Sequence, residues 1–198
     1  MSKSLAILAS SVATVGIAVG AYFVLSPAEN QCAPTGVIAG NATIGGPFEL
    51  VTHKGETVTE KDVITQTSLV YFGYTYCPDV CPLDVARNAD AVDQLAAKGI
   101  DVTPVFITID PERDTPEVLS DYVEFTHEKM IGLTGTAEQV AAASKAYKTY
   151  YRKNGEGEDY LMDHSTFSYL MSPDGFLDFI RRDMTTEQVV EKVGCFAS

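Results

Sequence analysis

No tryptophan occurs in the 198 residues, basic side chains are scarce, and only three histidines and four cysteines are present. Lysine and arginine total 14 against 27 aspartates and glutamates, a formal net charge of −13. Nucleic-acid phosphates need a basic face, so this shortage of cations excludes nucleic acid as the ligand. It also removes an electrostatic hold on anionic lipid headgroups. An acidic surface favours cationic partners, whether basic proteins or metal ions. Without tryptophan, the tetrad of a glutathione-peroxidase-like enzyme cannot be built. Internal repeats and low-complexity runs are missing too. Apolar types make up 45% and charged types 21%, ordinary values for a globular chain, and the length suits one domain.

One long apolar run is present. Leu5 to Leu25 holds 21 residues without a charge, and as a helix it spans about 31 Å, the thickness of a bilayer's hydrocarbon core. Lys3 and the N-terminus carry the only positive charge before it, so the positive-inside rule puts residues 1–4 in the cytoplasm and the rest outside. The expectation is a single N-terminal transmembrane anchor over residues 1–25, with the domain on the periplasmic or intermembrane-space side. The alternative is a cleaved signal peptide, whose apolar region is usually about 7–15 residues. Glu29, Asn30 and Gln31 precede Cys32 and are not the small apolar residues that precede a lipidated cysteine. Residues 26–47 hold three prolines and four glycines and read as a tether into a domain over residues 48–198.

Along that domain, Phe48–Thr52 and Glu56–Thr59 read as a hairpin turning through His53, Lys54 and Gly55, which leaves His53 solvent-exposed. Ser68–Tyr74 is a buried strand that runs straight into Cys77-Pro78-Asp79-Val80-Cys81-Pro82. Leu83–Lys98 repeats apolar residues at helical spacing, and Gly99 supplies its left-handed stop. Val102–Ile109 is the next buried strand. A loop over 110–114 leads to a helix capped by Thr115, with Pro116 at its first position, running to about Lys129. Thr136 and Gln139 make a capping box for a helix to about Tyr151. Residues 153–159 read as a polar turn. Thr166–Met171 and Phe176–Arg181 form a hairpin about Pro173-Asp174-Gly175, and Thr185 with Gln188 opens a final helix ending at Gly194. Strand–helix–strand units with a right-handed crossover, plus the terminal hairpin, predict a mixed sheet with helices on both faces. The strand–cysteine–helix junction makes the thioredoxin-like version of α/β the expected fold.

Cys77 and Cys81 sit where a strand turns into a helix. The helix N-terminus stabilises an anion, so at least one thiol should have a depressed pKa. A spacing of four puts both sulfurs on one side if the first turn is helical. A structural disulfide closing so short a loop would stabilise little. Thioredoxin-type oxidoreductases use Cys-x-x-Cys; the three residues between these cysteines spread the sulfurs and suit two thiolates on one ion. Thiolates are soft ligands that favour Cu(I), or Cu(II) with nitrogen added. His127 lies among charges near a helix end. His164, in Asp163-His164-Ser165-Thr166, directly precedes a strand. In a thioredoxin-like fold that loop faces the cysteines, so His164 completes a Cys₂His set, with Asp163 or Ser165 orienting its ring. The other reading of His164 is a histidine merely bonded within a polar loop.

The stretches IGGPFEL at 44–50, YFGYTYCPDVCP at 71–82, VFITIDPERDTPE at 105–117, GLTGT at 132–136 and YLMDHSTFSYLMSPDG at 160–175 together resemble the Sco/SenC family of copper proteins needed for respiratory oxidase assembly. The resemblance implies a thioredoxin-like domain, an N-terminal anchor, and copper held by two cysteines and one histidine, which fall on Cys77, Cys81 and His164. It further implies delivery of copper to the dinuclear copper site of cytochrome oxidase, or reduction of that site's thiols by Cys77 and Cys81 as a redox pair. The partners are then the oxidase's copper-site subunit, an upstream copper donor and a thioredoxin-like reductant. Asp110 ends the strand beside the cysteine strand and reads either as a site-rim carboxylate or as a partner for Arg113. Asp79 reads either as negative charge at the rim or as helix N-terminal charge. Cys32 and Cys195 are left over, and in an oxidising compartment they are expected to pair with each other. A thiol–disulfide reductase remains the competing reading. A peroxiredoxin needs threonine three residues before its cysteine, and Tyr74 stands there.

Overall fold

The computed structural model describes residues 43–197, all within the compact unit that begins at Gln31. The expected anchor, most of the tether and Cys32 lie outside the described residues. Among the described residues, no helix is long and apolar enough to cross a membrane.

In chain order the elements are β1 (Glu49–Thr52), β2 (Thr57–Thr59), α1 (Glu60–Val63), β3 (Ser68–Gly73), α2 (Val80–Ala96), β4 (Thr103–Thr108), α3 (Pro116–Thr126), β5 (Ile131–Thr134), α4 (Ala137–Tyr147), β6 (Tyr151–Asn154), β7 (Leu161–His164), β8 (Ser168–Ser172), β9 (Gly175–Ile180) and α5 (Thr186–Phe196). Seven strands form one sheet in the order β2-β1-β5-β4-β3-β8-β9, while β6 and β7 form a separate two-stranded sheet. The β3–β4 and β4–β5 pairs are parallel, and the outer pairs are antiparallel. This is the mixed sheet expected. Gly73 pairs with Thr108, and the Ile109 amide donates to the Gly73 carbonyl at 2.8 Å. The two strands therefore end level, and the loops leaving them lie side by side at the carboxyl edge, where open α/β sheets place their sites.

Period-two alternation along β3 sorts the helices between the faces. Tyr71 reaches α2, with its hydroxyl 3.3 Å from Asp84 Oδ2, and it packs at 6.3 Å on Phe106, which in turn meets Tyr122 of α3. Phe72 points the other way, onto Tyr147 of α4 at 5.2 Å. Leu69, on the Tyr71 face, joins Val92, Leu95, Val189 and Val193 in the cluster that glues α5 to α2. Each of these fully buried side chains stabilises the fold by about 1.5–3 kcal/mol relative to exposure. A buried ion pair, Lys192 Nζ to Asp178 Oδ2 at 2.6 Å, ties α5 to β9.

Several expectations need correction. The strand β5 and the hairpin β6–β7 are additional to those read from the sequence, and β6–β7 occupies the ground assigned to the end of a helix and a polar turn. The helix from Thr136 stops at Tyr147 because Lys148 takes a left-handed conformation, φ 58° and ψ 26°. Helix α2 begins at Val80 rather than Leu83, which places Cys81 inside its first turn. Pro82 is then the third helical residue, where no intrahelical N–H is needed. Helix α5 runs through Gly194 to Phe196. His53 is half-buried rather than exposed. Its amide donates to Gly132 O at 2.8 Å, and its Nδ1 accepts from the Gly132 amide at 3.2 Å, so it extends the pairing with the unforeseen β5.

Candidate metal centre

The buried strand β3 delivers the chain to the site, and Gly73 is its last residue. A Cβ there would lie 2.9 Å from Tyr71 Cε1, 3.1 Å from Cys81 Sγ and 3.1 Å from Phe106 Cε2. Only a missing side chain lets the Cys81 sulfur sit against the strand. Beyond it, the Thr75 amide and hydroxyl donate to the Asp114 carboxylate at 3.1 and 2.6 Å, and Thr108 Oγ1 donates to the same group at 2.6 Å. Asp114 is fully buried and so ties the cysteine loop to the end of β4. Burial pushes its carboxyl pKa up, against these hydrogen bonds, which hold it down.

Cys77 precedes the helix and Cys81 is its second residue. Both are free thiols, with Cys77 8% exposed and Cys81 closed to solvent. The Cys81 amide points at Cys77 Sγ at 3.4 Å, and the Asp79 amide does likewise. The Cys77 sulfur thus occupies the anion position of a helix N-terminus. A hydrogen bond from Cys81 holds the Cys77 thiol down to about 3; burial opposes this, while the two amides add to it. Cys81 is pushed up by its hydrogen bond to Cys77 and by burial. Of the two, Cys77, at the helix N-terminus, is the sulfur that ionises more readily.

His164, the last residue of β7, arrives from across the sheet. Its Nε2 is 3.4 Å from Cys81 Sγ. Its Nδ1 donates to the Ser165 carbonyl at 2.7 Å, which leaves the Nε2 lone pair facing the sulfurs. The ring stands edge-on to Tyr71 and Tyr74, at 6.2 and 6.0 Å. The three candidate ligand atoms all lie within 4.8 Å of one another. A metal about 2.0–2.3 Å from each atom would separate them by up to about 4.6 Å, so the side chains already stand nearly at ligating distance. The set is soft and lacks a carboxylate, which fits copper or zinc better than magnesium or calcium.

The other candidates fall into different roles. Asp110 is buried and fully engaged: Oδ2 takes Arg113 Nε at 2.6 Å, and Oδ1 accepts from the Tyr160 hydroxyl at 2.6 Å. It follows its Arg113 reading. The Arg113 guanidinium then lies over the rings of Tyr160 and Tyr76, at 3.6 and 4.7 Å, beside the Cys77 loop. Asp79 is the exposed N-cap of α2, and its side chain makes no capping bond. Asp163 does not orient the histidine. It binds Arg152 at 2.8 Å and Asn154 at 3.0 Å across the hairpin, and these partners hold its carboxyl below the usual range. The ring is oriented by the Ser165 backbone instead. Cys195 is disulfide-bonded.

The description SCO1/SenC matches residues 37–198. This chain belongs to the SCO1/SenC family. Protein SenC of Rhodobacter capsulatus is 52% identical over 200 residues, covering 98% of this chain and 90% of that protein. The mitochondrial SCO1 homolog 1 of Arabidopsis thaliana is 44% identical over 165 residues, covering 80% of this chain; the match spans only 49% of that longer protein. Among solved structures, Arabidopsis thaliana ScoI with copper bound gives a TM-score of 0.74 at 41% identity, over 77% of this chain and 98% of that one. The SCO1/SenC fold is thus the thioredoxin-like α/β arrangement described above. Within it, Tyr71, Gly73, Asp84 and Asp114 surround the cysteines and escaped the sequence reading. Gly73 alone had a signal, a glycine inside a strand that marks close approach.

Proposed function

We propose that this SCO1/SenC protein is a copper metallochaperone. Cys77, Cys81 and His164 hold one copper ion as cargo, for delivery to the dinuclear copper site of a respiratory cytochrome oxidase. The observation that carries this reading is the convergence of two sulfurs and one free imidazole nitrogen within 4.8 Å, in a relative of a protein crystallised with copper. Transfer proceeds by ligand exchange: each acceptor thiolate forms a bond to Cu(I) as one donor ligand leaves, the copper stays Cu(I), and Cys81 regains its proton. Large apolar side chains lie exposed beside the ligands in sequence, namely Tyr76 and Leu83 by the cysteines and Leu161 and Phe167 by the histidine. Such clustering suits a face that docks onto another protein. Residues 5–25 anchor the protein, residues 26–47 give it reach, and the domain works on the periplasmic or intermembrane-space side. Cys195 pairs with Cys32 in that oxidising compartment, leaving Cys77 and Cys81 free for function.

The second reading, a thiol–disulfide reductase of the oxidase copper-site cysteines, is favoured by one observation: the Cys77 sulfur faces the Cys81 amide at 3.4 Å at a helix N-terminus, beside a second free cysteine. His164→Ala separates the two. A reductase needs only the sulfurs, so the variant should keep dithiol exchange while losing copper. If cells carrying His164→Ala assemble oxidase normally when copper is scarce, the chaperone reading fails and the reductase reading replaces it.

A further inference from the structure

His164 is carried by a hairpin outside the main sheet. Among the described residues, β6 and β7 pair only with each other, so no ladder to the main sheet holds the imidazole in place. The hairpin joins the rest of the domain at the end where His164 stands opposite Tyr151. Its far end is the connection over residues 155–160. Polar contacts from that end converge on one loop, residues 110–114. The Tyr160 hydroxyl donates to Asp110 Oδ1 at 2.6 Å, Arg113 Nη1 donates to the Glu158 carbonyl at 3.1 Å, and Lys153 Nζ lies 3.1 Å from Glu112 Oε2.

The receiving loop is itself pinned. The amides of Arg113 and Asp114 donate to the Asp110 carbonyl at 3.2 and 2.9 Å, and the Asp110 amide donates to Thr108 Oγ1 at 2.9 Å. Asp110 Oδ2 accepts from Arg113 Nε at 2.6 Å, so the bonds at Nε and Nη1 together fix the plane of the guanidinium. Its central carbon lies 3.6 Å from the ring centre of Tyr160 and 4.7 Å from that of Tyr76, the residue before Cys77. One side chain thus meets the hairpin and the cysteine loop at once. It does so with Nη2 buried and without a hydrogen-bond partner among the described residues, a cost that native proteins rarely carry without a use for it. A lysine ammonium on its flexible stem could reproduce neither the fork of bonds nor the stacking.

We propose that Arg113 is a positioning residue for His164. Held by Asp110, its guanidinium latches the far end of the hairpin to the carboxyl edge of the main sheet. Strand β7, four residues long, carries that restraint to the imidazole, whose Nε2 faces Cys81 Sγ at 3.4 Å. With the latch broken, the hairpin pivots about its joined end and the imidazole spends less time over the sulfurs. The inference rests on the copper reading for one arm of its test only; the other arm uses metal-free protein.

Arg113→Lys keeps a cation for Asp110 but gives up the second N–H bond and the flat stacking surface. In reduced, metal-free, full-length protein, hydrogen–deuterium exchange reads the hairpin through amides over residues 151–165 and the main sheet through those of β3, β4 and β8. Exchange in the hairpin should speed up about tenfold or more, the worth of one hydrogen bond from a charged donor, while the main sheet keeps its wild-type rates. The second arm reads Cu(I) affinity by competition with a chelator. Arg113→Lys should weaken binding about tenfold, as loss of a group that orients a ligand does. The same substitution is then made in the His164→Ala background, whose two thiolates still take Cu(I) and are read with a weaker chelator. There it should cost less than about twofold, because no imidazole is left to misplace, whereas damage to the fold at large would cost as much in both backgrounds. Thermal melts establish that each variant is folded. Tyr160→Phe, which removes only the donation to Asp110, repeats both arms and should show the same pattern at smaller size, so the comparison survives if Arg113→Lys does not fold. Hairpin exchange that is unchanged, or that rises by the same factor as the main sheet's, overturns the proposal, and so does an equal loss of Cu(I) affinity in the two backgrounds. If exchange rises in the hairpin alone and wild-type protein binds no Cu(I), the positioning role stands and the copper reading falls.

Discussion

Gly73→Ala is the smallest change that probes how the site is built. The backbone there has no positive φ, so the substitution brings no backbone strain and its whole effect is space. The added methyl would meet Tyr71 Cε1 at 2.9 Å and both Cys81 Sγ and Phe106 Cε2 at 3.1 Å. None of these neighbours gives way easily. Tyr71 and Phe106 are rigid buried rings at 2% and 0% exposure, and Cys81 is pinned in the first turn of α2. Overpacking of a closed core costs about 1–3 kcal/mol, which in a domain of this size lowers the melting temperature by about 2–12 °C. Relief comes by moving Cys81, so copper binding should weaken together with stability. The assay pairs a thermal melt with a copper count on the reduced protein. A variant that melts like wild type and binds a full copper equivalent would show that the close approach of strand and sulfur has been misjudged.

Asp114→Ala should cost about 2–4 kcal/mol by orphaning the Thr75 and Thr108 donors, whereas Asp114→Asn, which keeps an oxygen for the Thr75 amide and an amide for a rotatable hydroxyl, should cost much less; chemical denaturation compares the two. Because Cys77 is held down to about 3 and Cys81 is pushed up, brief alkylation of reduced, metal-free protein at about pH 5 should label Cys77 and spare Cys81. Mass mapping of the peptides checks this, and preferential labelling of Cys81 contradicts it. Oxidation of the pair to a disulfide removes both thiolates and should release bound copper into a dialysate. Cys195→Ser should cost on the order of 2–5 kcal/mol in the unreduced protein and nothing further once the wild type is reduced.

The cysteines and His164 were legible because their chemistry is local. The Cys-x-x-x-Cys spacing sits on a strong strand–helix junction, and the histidine precedes a strong strand. What carries the histidine was not. In β6, Tyr151–Asn154 is half-buried at one residue and exposed at the other three, so it shows no alternation to read. Its register, Tyr151 opposite His164, is what brings the ring to the sulfurs. Strand β5 is four residues, Ile131–Thr134, with one half-buried and three buried; a run so short gives neither a helical nor a strand period. The end of α4 was missed because a lysine, not a glycine, takes the left-handed position. Asp163 looked suited to orient its neighbour until the hairpin gave it Arg152 and Asn154. Tyr71, Asp84 and Asp114 act through contacts between residues 13 to 39 positions apart, and no local pattern reports such a contact.

The most direct test is a metal count. Soluble domain starting at the tether, reduced without oxygen and dialysed after exposure to Cu(I), should retain about one copper per chain by elemental analysis. The Cys77→Ser, Cys81→Ser and His164→Ala variants, each shown to be folded, should retain far less. Full retention by any one of the three would contradict the assignment of these side chains as the copper ligands.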